Sequence, residues 1–428
     1  MIRYVFPFLL FAISCSPVSK QVLNRKFKSL EEKFQDHTGF MLYDLEEKRE
    51  IYSFQSNHYF TPASNTKIFT LYTGLMVLGD SIPALRYSER GDSLIFSGTG
   101  DPSFLYPYVH DSRKAFDFLA RQQRQLYFAE KNFFTSPLGP GWSWDDYSYA
   151  YSSERSAFPV YGNIMKVSHH EQSLKIVPTV FTYRVSVGDT IERSKVVRDI
   201  GSNKITFYPA GDGSSIDTFK IPFKTSAQLT SELLSDTLKR KVTMLERPFH
   251  GESKLLYSVP SDSLYKVMMQ ESDNFIAEQL LLVCAGVLSD SLKPEIAIEY
   301  MKKNHLNNLP DKPIWVDGSG LSRYNLFTPR SIVRLWEKIY QQVPKERLFP
   351  LLAIGGKTGT IKNAYKNGTP YIYGKTGTLS NNHCLSGYLI TKKGKTLIFS
   401  FMNNNHPAPS STIRKEMEHV LRSVYENY

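Results

Sequence analysis

The chain has 428 residues, of which 41% are apolar and 22% charged, enough to build cores and too many residues for a single average domain. Its net charge of +11 comes without a Lys/Arg cluster interleaved with aromatics, which excludes a phosphate-tracking nucleic-acid surface and leaves a diffusely cationic exported protein. Aromatic residues make up 13%, a content that favours β-rich surfaces and peptide or sugar contacts.

The first 21 residues read as a targeting segment. Arg3 supplies a short positive region, and residues 4–13 are apolar but too few to span a bilayer as a mature helix. Ala12-Ile13-Ser14-Cys15 resembles the lipobox of bacterial lipoproteins, which makes Cys15 the expected lipidation site and a lipid anchor the expected membrane contact. A leucine is more usual where Ala12 stands, and the alternative is ordinary cleavage nearby. Cys284 and Cys384 sit among apolar neighbours and read as small buried hydrophobes. The cysteines lack metal-ligand spacing, and adjacent His169 and His170 do not share a face. No metal or other cofactor is expected.

An amphipathic helix is expected over 22–34. Strands over 39–44 and 51–54 flank the charged turn Glu46-Glu47-Lys48-Arg49, and a helical stretch follows Pro62, ending near Gly79. From about 81 to 245 short β-like runs alternate with Gly/Pro/Ser turns, reading as inserted β-rich modules over about 81–163 and 164–226. Helical patterns return over 261–270, 274–288, 296–304 and 329–342, with Pro260 and Pro329 as starts. Runs over 384–390 and 396–401 around Lys392-Lys393-Gly394-Lys395 predict a hairpin, and a helix over 411–425 closes the chain. No internal repeat is found.

Three short motifs carry chemistry in order: Ser64-Asn65-Thr66-Lys67, Ser272-Asp273-Asn274 and Lys375-Thr376-Gly377. S-x-x-K, S-D-N and K-T-G together mark acyl-transferring serine enzymes. Pro62 suits the first turn of a helix, which places Ser64 in that turn and Lys67 one turn along the same face. Lys67 serves as base only if its ammonium is destabilised by burial or a nearby positive charge. Taken alone, Ser64 would read as a capping serine and Lys67 as a solvated lysine. Ser272 and Asn274 are expected on a turn between two helices, Ser272 relaying a proton from Lys67 and Asn274 bonding the substrate amide; a helix N-cap is the plainer alternative. Lys375 is expected to add positive charge near Lys67 and a substrate carboxylate. The Thr376 and Thr378 hydroxyls would bind that carboxylate, and the Ser64 and Thr378 N–H groups would form an oxyanion hole. Gly377 would remove a side chain where substrate approaches closely. A second copy, Lys357-Thr358-Gly359, follows an apolar run without a hairpin and reads as a loop.

With these motifs the chain resembles the class C low-molecular-mass penicillin-binding proteins, which are D-Ala-D-Ala carboxypeptidases and endopeptidases. Further segments carry the resemblance: Asp317-Gly318-Ser319-Gly320-Leu321-Ser322-Arg323, Gly98-Thr99-Gly100-Asp101-Pro102 (the family has Gly-Gly-Gly-Asp-Pro) and Gly141-Trp142-Ser143-Trp144-Asp145-Asp146. Gly359-Thr360-Ile361 falls where the family has a Gly-Thr-Leu loop, which assigns the active lysine to Lys375. The resemblance implies an α+β fold: a transpeptidase/β-lactamase-like domain, an antiparallel sheet flanked by helices, built from 22–80 and 250–428, with 81–249 inserted as β-rich accessory domains. It also implies a serine peptidase acting on peptidoglycan stem peptides, bound by β-lactam antibiotics, at the periplasmic face of a bacterial membrane. Asp146 and Arg323, in family-like segments, are expected to hold the ammonium and carboxylate of the stem peptide's third residue. A β-lactamase and a catalytically silent peptidoglycan-binding lipoprotein are the alternatives.

Overall fold

A computed structural model describes residues 20–130, 132–170, 173–211, 217–246 and 252–428; Cys15 lies outside them. The expected sheet is present. Six antiparallel strands run in the order Ala353–Ile354, Ile372–Leu379, Asn382–Ile390, Thr396–Asn404, His37–Asp44, Arg49–Phe54. The central pair, Asn382–Ile390 and Thr396–Asn404, is buried along almost its whole length, because helices cover both faces. On one face the amphipathic helices Lys20–Phe34 and Ser410–Asn427 lay Phe27, Leu30, Met417 and Leu421 against Phe40, Phe399 and Phe401. Phe27 stacks on Phe40 with ring centroids 4.7 Å apart. On the other face the helices Lys67–Val77, Asn274–Ser289 and Pro329–Gln342 pack around Trp336 and Tyr388. Full burial of two such stripes is the main force holding these layers together.

The inserted region has its own core around Leu94, Phe128, Phe158, Phe181 and Leu233. Its main sheet has five strands, in the order Val242–Met244, Gln125–Phe128, Ser93–Gly98, Ser81–Arg90, Lys254–Pro260. The last strand begins beyond residue 250, where the sequence reading starts the second catalytic segment; it pairs antiparallel with Ser81–Arg90 and ties the two ends of the insertion together. Two three-stranded sheets complete the region. It is not purely β: the helices Lys114–Ala120 and Ala227–Leu238 lie within it. The second is capped by Ser226, whose side chain accepts from the Leu229 N–H, and buries Leu229, Leu233 and Leu234 at helical spacing. Among the described residues no helix is long and apolar enough to cross a membrane.

Candidate active site

Ser64 stands at the entrance to the helix Lys67–Val77, in a 3-10 turn, Ala63–Thr66, rather than in the first α-helical turn; Pro62 flanks the turn instead of opening the helix. Two glycines make this tight turn possible. Gly320, at φ +82°, lies so close that a Cβ would strike the Ala63 carbonyl. A Cβ on Gly377 would come within 2.5 Å of the Pro62 carbonyl and 2.9 Å of the Ser64 nitrogen. Gly377 therefore makes room for the serine turn.

Lys67 is fully buried. Its ammonium donates to Ser64 Oγ at 2.9 Å, Asn274 Oδ1 at 2.6 Å and the Ser319 carbonyl at 2.7 Å, so all three N–H bonds are used. Burial pulls its pKa down to about 8; the negative charges of Asp317, Asp273 and Glu278 oppose the shift without cancelling it. An amine that close to a serine hydroxyl, and that easily deprotonated, meets the requirement for a base.

The S-D-N segment does two jobs at once. Asp273 caps the helix Asn274–Ser289 by accepting from the Ile276 N–H at 2.8 Å, and Tyr106 donates its hydroxyl proton to the same carboxylate at 2.6 Å. Ser272 is held at φ +61°, in the left-handed region, which turns its side chain toward the strand Ile372–Leu379. There Lys375 Nζ donates to Ser272 Oγ at 2.7 Å and to the Thr376 carbonyl at 2.7 Å. The Ser272 hydroxyl thus meets Lys375, while Lys67 meets Asn274; a direct Lys67–Ser272 relay is not the observed arrangement. Asn274 is also occupied, its Nδ2 donating to the Tyr151 carbonyl at 3.0 Å. Lys375 is fully buried, and its pKa is lowered well below the ordinary lysine range by burial first and the Lys67 charge second.

Beyond Lys375 the strand has a free edge. The two-residue strand Ala353–Ile354 pairs only with Gly374 and Tyr373, so among the described residues no strand pairs with 375–379 on that side, and Thr378 and Leu379 line the cleft. Thr376 donates its hydroxyl proton to Thr360 at 2.7 Å, and Thr378 Oγ1 lies 2.8 Å from His383 Nδ1. Lys357 is exposed, in a turn joining the short strand to the 3-10 turn Gly359–Ile361. Its loop nevertheless reaches the site through Thr360.

The cleft has a volume of about 540 Å³ and is lined by Ser64, Asp146, Tyr151, Asn274, Arg323 and Thr378, among others. Asp146 accepts from the Tyr151 hydroxyl at 2.7 Å, and the Arg323 N–H donates to the Gly141 carbonyl at 3.3 Å. Among the described residues no group of three His, Cys, Asp or Glu side chains could hold a metal ion.

The sequence reading missed the groups that hold the Lys67 acceptor. Glu278 accepts from the Gly318 and Ser319 N–H groups at 3.0 and 2.7 Å, with its other oxygen 3.4 Å from Arg155. Asp317 accepts from the Gly320 and Ser322 N–H groups, Asn325 and Trp142. Glu278 lies four residues after Asn274, one turn along the same helix face, and that spacing was a usable signal.

A family model of the D-Ala-D-Ala carboxypeptidase 3 (S13) family matches residues 23–424. The chain belongs to that family, whose members are the class C low-molecular-mass penicillin-binding proteins. Among curated proteins it is 24% identical to the D-alanyl-D-alanine carboxypeptidase DacB of Haemophilus influenzae, over 91% of this chain and 90% of that one. It is also 24% identical to a D-alanyl-D-alanine carboxypeptidase of Actinomadura sp. strain R39, over 87% of this chain and 78% of that protein. The fold agrees with crystal structures. Penicillin binding protein 4 (dacB) from Haemophilus influenzae superposes with a TM-score of 0.77 at 20% identity, covering 93% of this chain and 99% of that one. A second structure of that protein is complexed with a β-lactam. The predatory peptidoglycan endopeptidase Bd3459 from Bdellovibrio bacteriovorus superposes with a TM-score of 0.53 at 13% identity, covering 90% and 93%.

Proposed function

We propose that this S13-family protein is a serine D-Ala-D-Ala carboxypeptidase and endopeptidase acting on peptidoglycan stem peptides through an acyl-enzyme on Ser64, and that β-lactams trap the same serine. The observation that carries this reading is the Lys67 amine, fully buried, with a depressed pKa, 2.9 Å from Ser64 Oγ.

In this reading the neutral Lys67 amine takes the Ser64 proton as Oγ attacks the carbonyl of the penultimate D-alanine. The substrate backbone lies along the free edge of 375–379, and the Ser64 and Thr378 N–H groups receive the oxyanion. The proton then passes to the leaving amine, with Ser272 and Lys375 beside the path, and D-alanine departs. Water hydrolyses the acyl-enzyme with Lys67 again as base. Endopeptidase cleavage is the same chemistry with the amine of a cross-linked peptide as leaving group. Asp146 and Arg323 face the cleft as charges for the stem peptide's third residue. Cys15 anchors the protein by lipid at the periplasmic membrane face; moving a Cys15→Ala variant from membrane to soluble fraction tests that part.

Fluorescent penicillin combined with intact-mass analysis tests the core reading. One stable adduct on the peptide containing Ser64, and none in Ser64→Ala, is the expected result, together with D-alanine release from a stem pentapeptide. Full labelling of Ser64→Ala would refute the assignment, rapid turnover of the label would point to a lactamase, and a wild type that neither labels nor releases D-alanine to a silent binder.

A further inference from the structure

Asp146 reaches the cleft from the 3-10 turn Trp144–Ser148, which buries none of its residues and so has little packing of its own. The backbone of Asp146 closes two bonds of this turn. Its N–H donates to the Ser143 carbonyl at 3.1 Å, and its carbonyl accepts from the Tyr149 N–H at 3.0 Å. The flanks of the turn are tied to the catalytic domain, Trp142 donating to Asp317 and the Tyr151 carbonyl accepting from Asn274. Tyr147, in the middle, is tied to the insertion.

That tie is Arg198, the last residue of the strand Lys195–Arg198, which forms a three-stranded sheet with Ile205–Tyr208 and Val185–Val187. Arg198 Nη2 donates to the Tyr147 carbonyl at 2.9 Å, and the Tyr147 hydroxyl donates back to the Arg198 carbonyl at 3.1 Å. The guanidinium carbon lies 4.9 Å from the centre of the Tyr147 ring. Nη1 donates to the Asp199 and Ser202 carbonyls, both at 3.3 Å, which anchors the guanidinium to its own hairpin. Arg198 is buried, and its Nε has no partner among the described residues. Burying a charge with a donor unpaired costs stability, so stability alone does not account for an arginine here. Among the described residues, none from this sheet lines the cleft. Its route to the cleft is the clamp on Tyr147.

We infer that Arg198 is a positioning residue for substrate recognition: from the small sheet of the insertion it fixes the Trp144–Ser148 turn, and through that turn the place of the Asp146 carboxylate beside the bound stem peptide. Bonds at both ends of Tyr147, carbonyl and hydroxyl, set the rotation of the turn as well as its position. A displacement of about 1 Å at a charge that holds a substrate is enough to cost up to about a hundredfold in rate. The small sheet thereby acts on which peptide is taken, while the bond-breaking groups around Ser64 stay as they are. This inference rests on the proposed peptidase reading and on Asp146 facing the stem peptide's third residue.

The test compares a stem pentapeptide with a diaminopimelate third residue, the short substrate N-acetyl-D-Ala-D-Ala, and penicillin acylation. Arg198→Met should lose about ten- to hundredfold in kcat/KM on the pentapeptide and less than about threefold on the other two. Arg198→Lys, which keeps a charge for the Tyr147 carbonyl but not the fork, should recover part of the loss. In an Asp146→Ala background, Arg198→Met should cost less than about threefold on the pentapeptide, because the residue it positions is gone. Tyr147→Phe removes only the hydroxyl bond, and should show the same selectivity at about two- to tenfold even if Arg198→Met does not fold. Equal losses on all three substrates, no loss on any, or a full additive loss in the Asp146→Ala background overturns the inference and leaves the peptidase reading intact. An Asp146→Ala variant with undiminished activity on the pentapeptide overturns it as well. A wild type that cleaves neither peptide and takes no penicillin label refutes the peptidase reading itself.

Discussion

The pH dependence of acylation is the sharpest consequence of the Lys67 environment. Its pKa falls from 10.5 to about 8 because burial penalises the ammonium. At about 1.36 kcal/mol per unit, the folded protein disfavours the protonated form by about 3.4 kcal/mol relative to the amine. At pH 7 roughly a tenth of the molecules then carry a neutral base, against about 0.03% for an ordinary lysine. The rate constant for penicillin acylation should therefore rise about tenfold per unit below pH 8 and level off above it, so that pH 6 is about fiftyfold slower than pH 8. Stopped-flow measurement at constant ionic strength from pH 6 to 9.5 reads this directly. The same shift has a sign for stability. A lysine whose folded pKa is depressed binds fewer protons in the native state between pH 8 and 10.5, so stability rises with pH across that window. Lys67→Gln does not titrate, so the wild type should gain up to about 3.4 kcal/mol relative to this variant between pH 8 and 10.5. A flat acylation rate between pH 6 and 8, or an acid limb centred near 10.5, would refute the reasoning that burial makes Lys67 the base.

Four substitutions probe the rest of the site. Gly377→Ala forces a Cβ to within 2.5 Å of the Pro62 carbonyl, and because all the atoms it meets are backbone the strand and the serine turn must separate. Penicillin labelling should drop by about a hundredfold, with a stability loss of about 1–3 kcal/mol in urea unfolding; wild-type labelling would show that the turn yields freely. Lys375→Ala removes the buried amine bonded to Ser272 and should slow acylation by about a hundredfold or more, whereas Lys357→Ala, exposed in its turn, should stay within a few-fold; the reverse ranking would move the role to the other copy. Asp146→Ala should cost about 1–3 kcal/mol in kcat/KM for a peptide carrying a diaminopimelate third residue and leave penicillin acylation nearly unchanged, while equal loss on both would make Asp146 a support for the cleft, through its bond from Tyr151.

How much of this was legible in the sequence depends on the range of each interaction. The strand pairs at 37–54 and 382–404 announce themselves by apolar runs around a charged or glycine-containing turn, a local signal. The pairing of Lys254–Pro260 with Ser81–Arg90 spans most of the insertion, and no periodicity encodes it. The helix Ala227–Leu238 was legible from its cap and leucine spacing but was absorbed into the surrounding β-like composition. At the site, Ser64 and Lys67 were readable because three residues bring them to one side of a helix entrance. The Ser319 carbonyl that receives Lys67 was not, since a backbone acceptor leaves no residue signature. Arg198 lay outside every motif because only tertiary packing brings its strand to Tyr147.

The same distinction changes how the insertion is understood. Read linearly, 81–249 looks like accessory modules set into a catalytic domain. In three dimensions it touches the chemistry at four points: Tyr106 on Asp273, the Tyr151 carbonyl on Asn274, Arg155 on Glu278, and Trp142 on Asp317. Two of these contacts fix the S-D-N turn, and two fix the loop whose Ser319 carbonyl takes a Lys67 N–H. Arg155 and Glu278 are both almost fully buried, so losing either partner leaves an uncompensated charge behind the base. Burial, and then the Asp317 charge, raise the pKa of the Glu278 carboxyl, and the Arg155 guanidinium opposes that shift. The insertion is therefore part of the wall that keeps Lys67 dry, and dryness is what lowers its pKa toward the working range of a base.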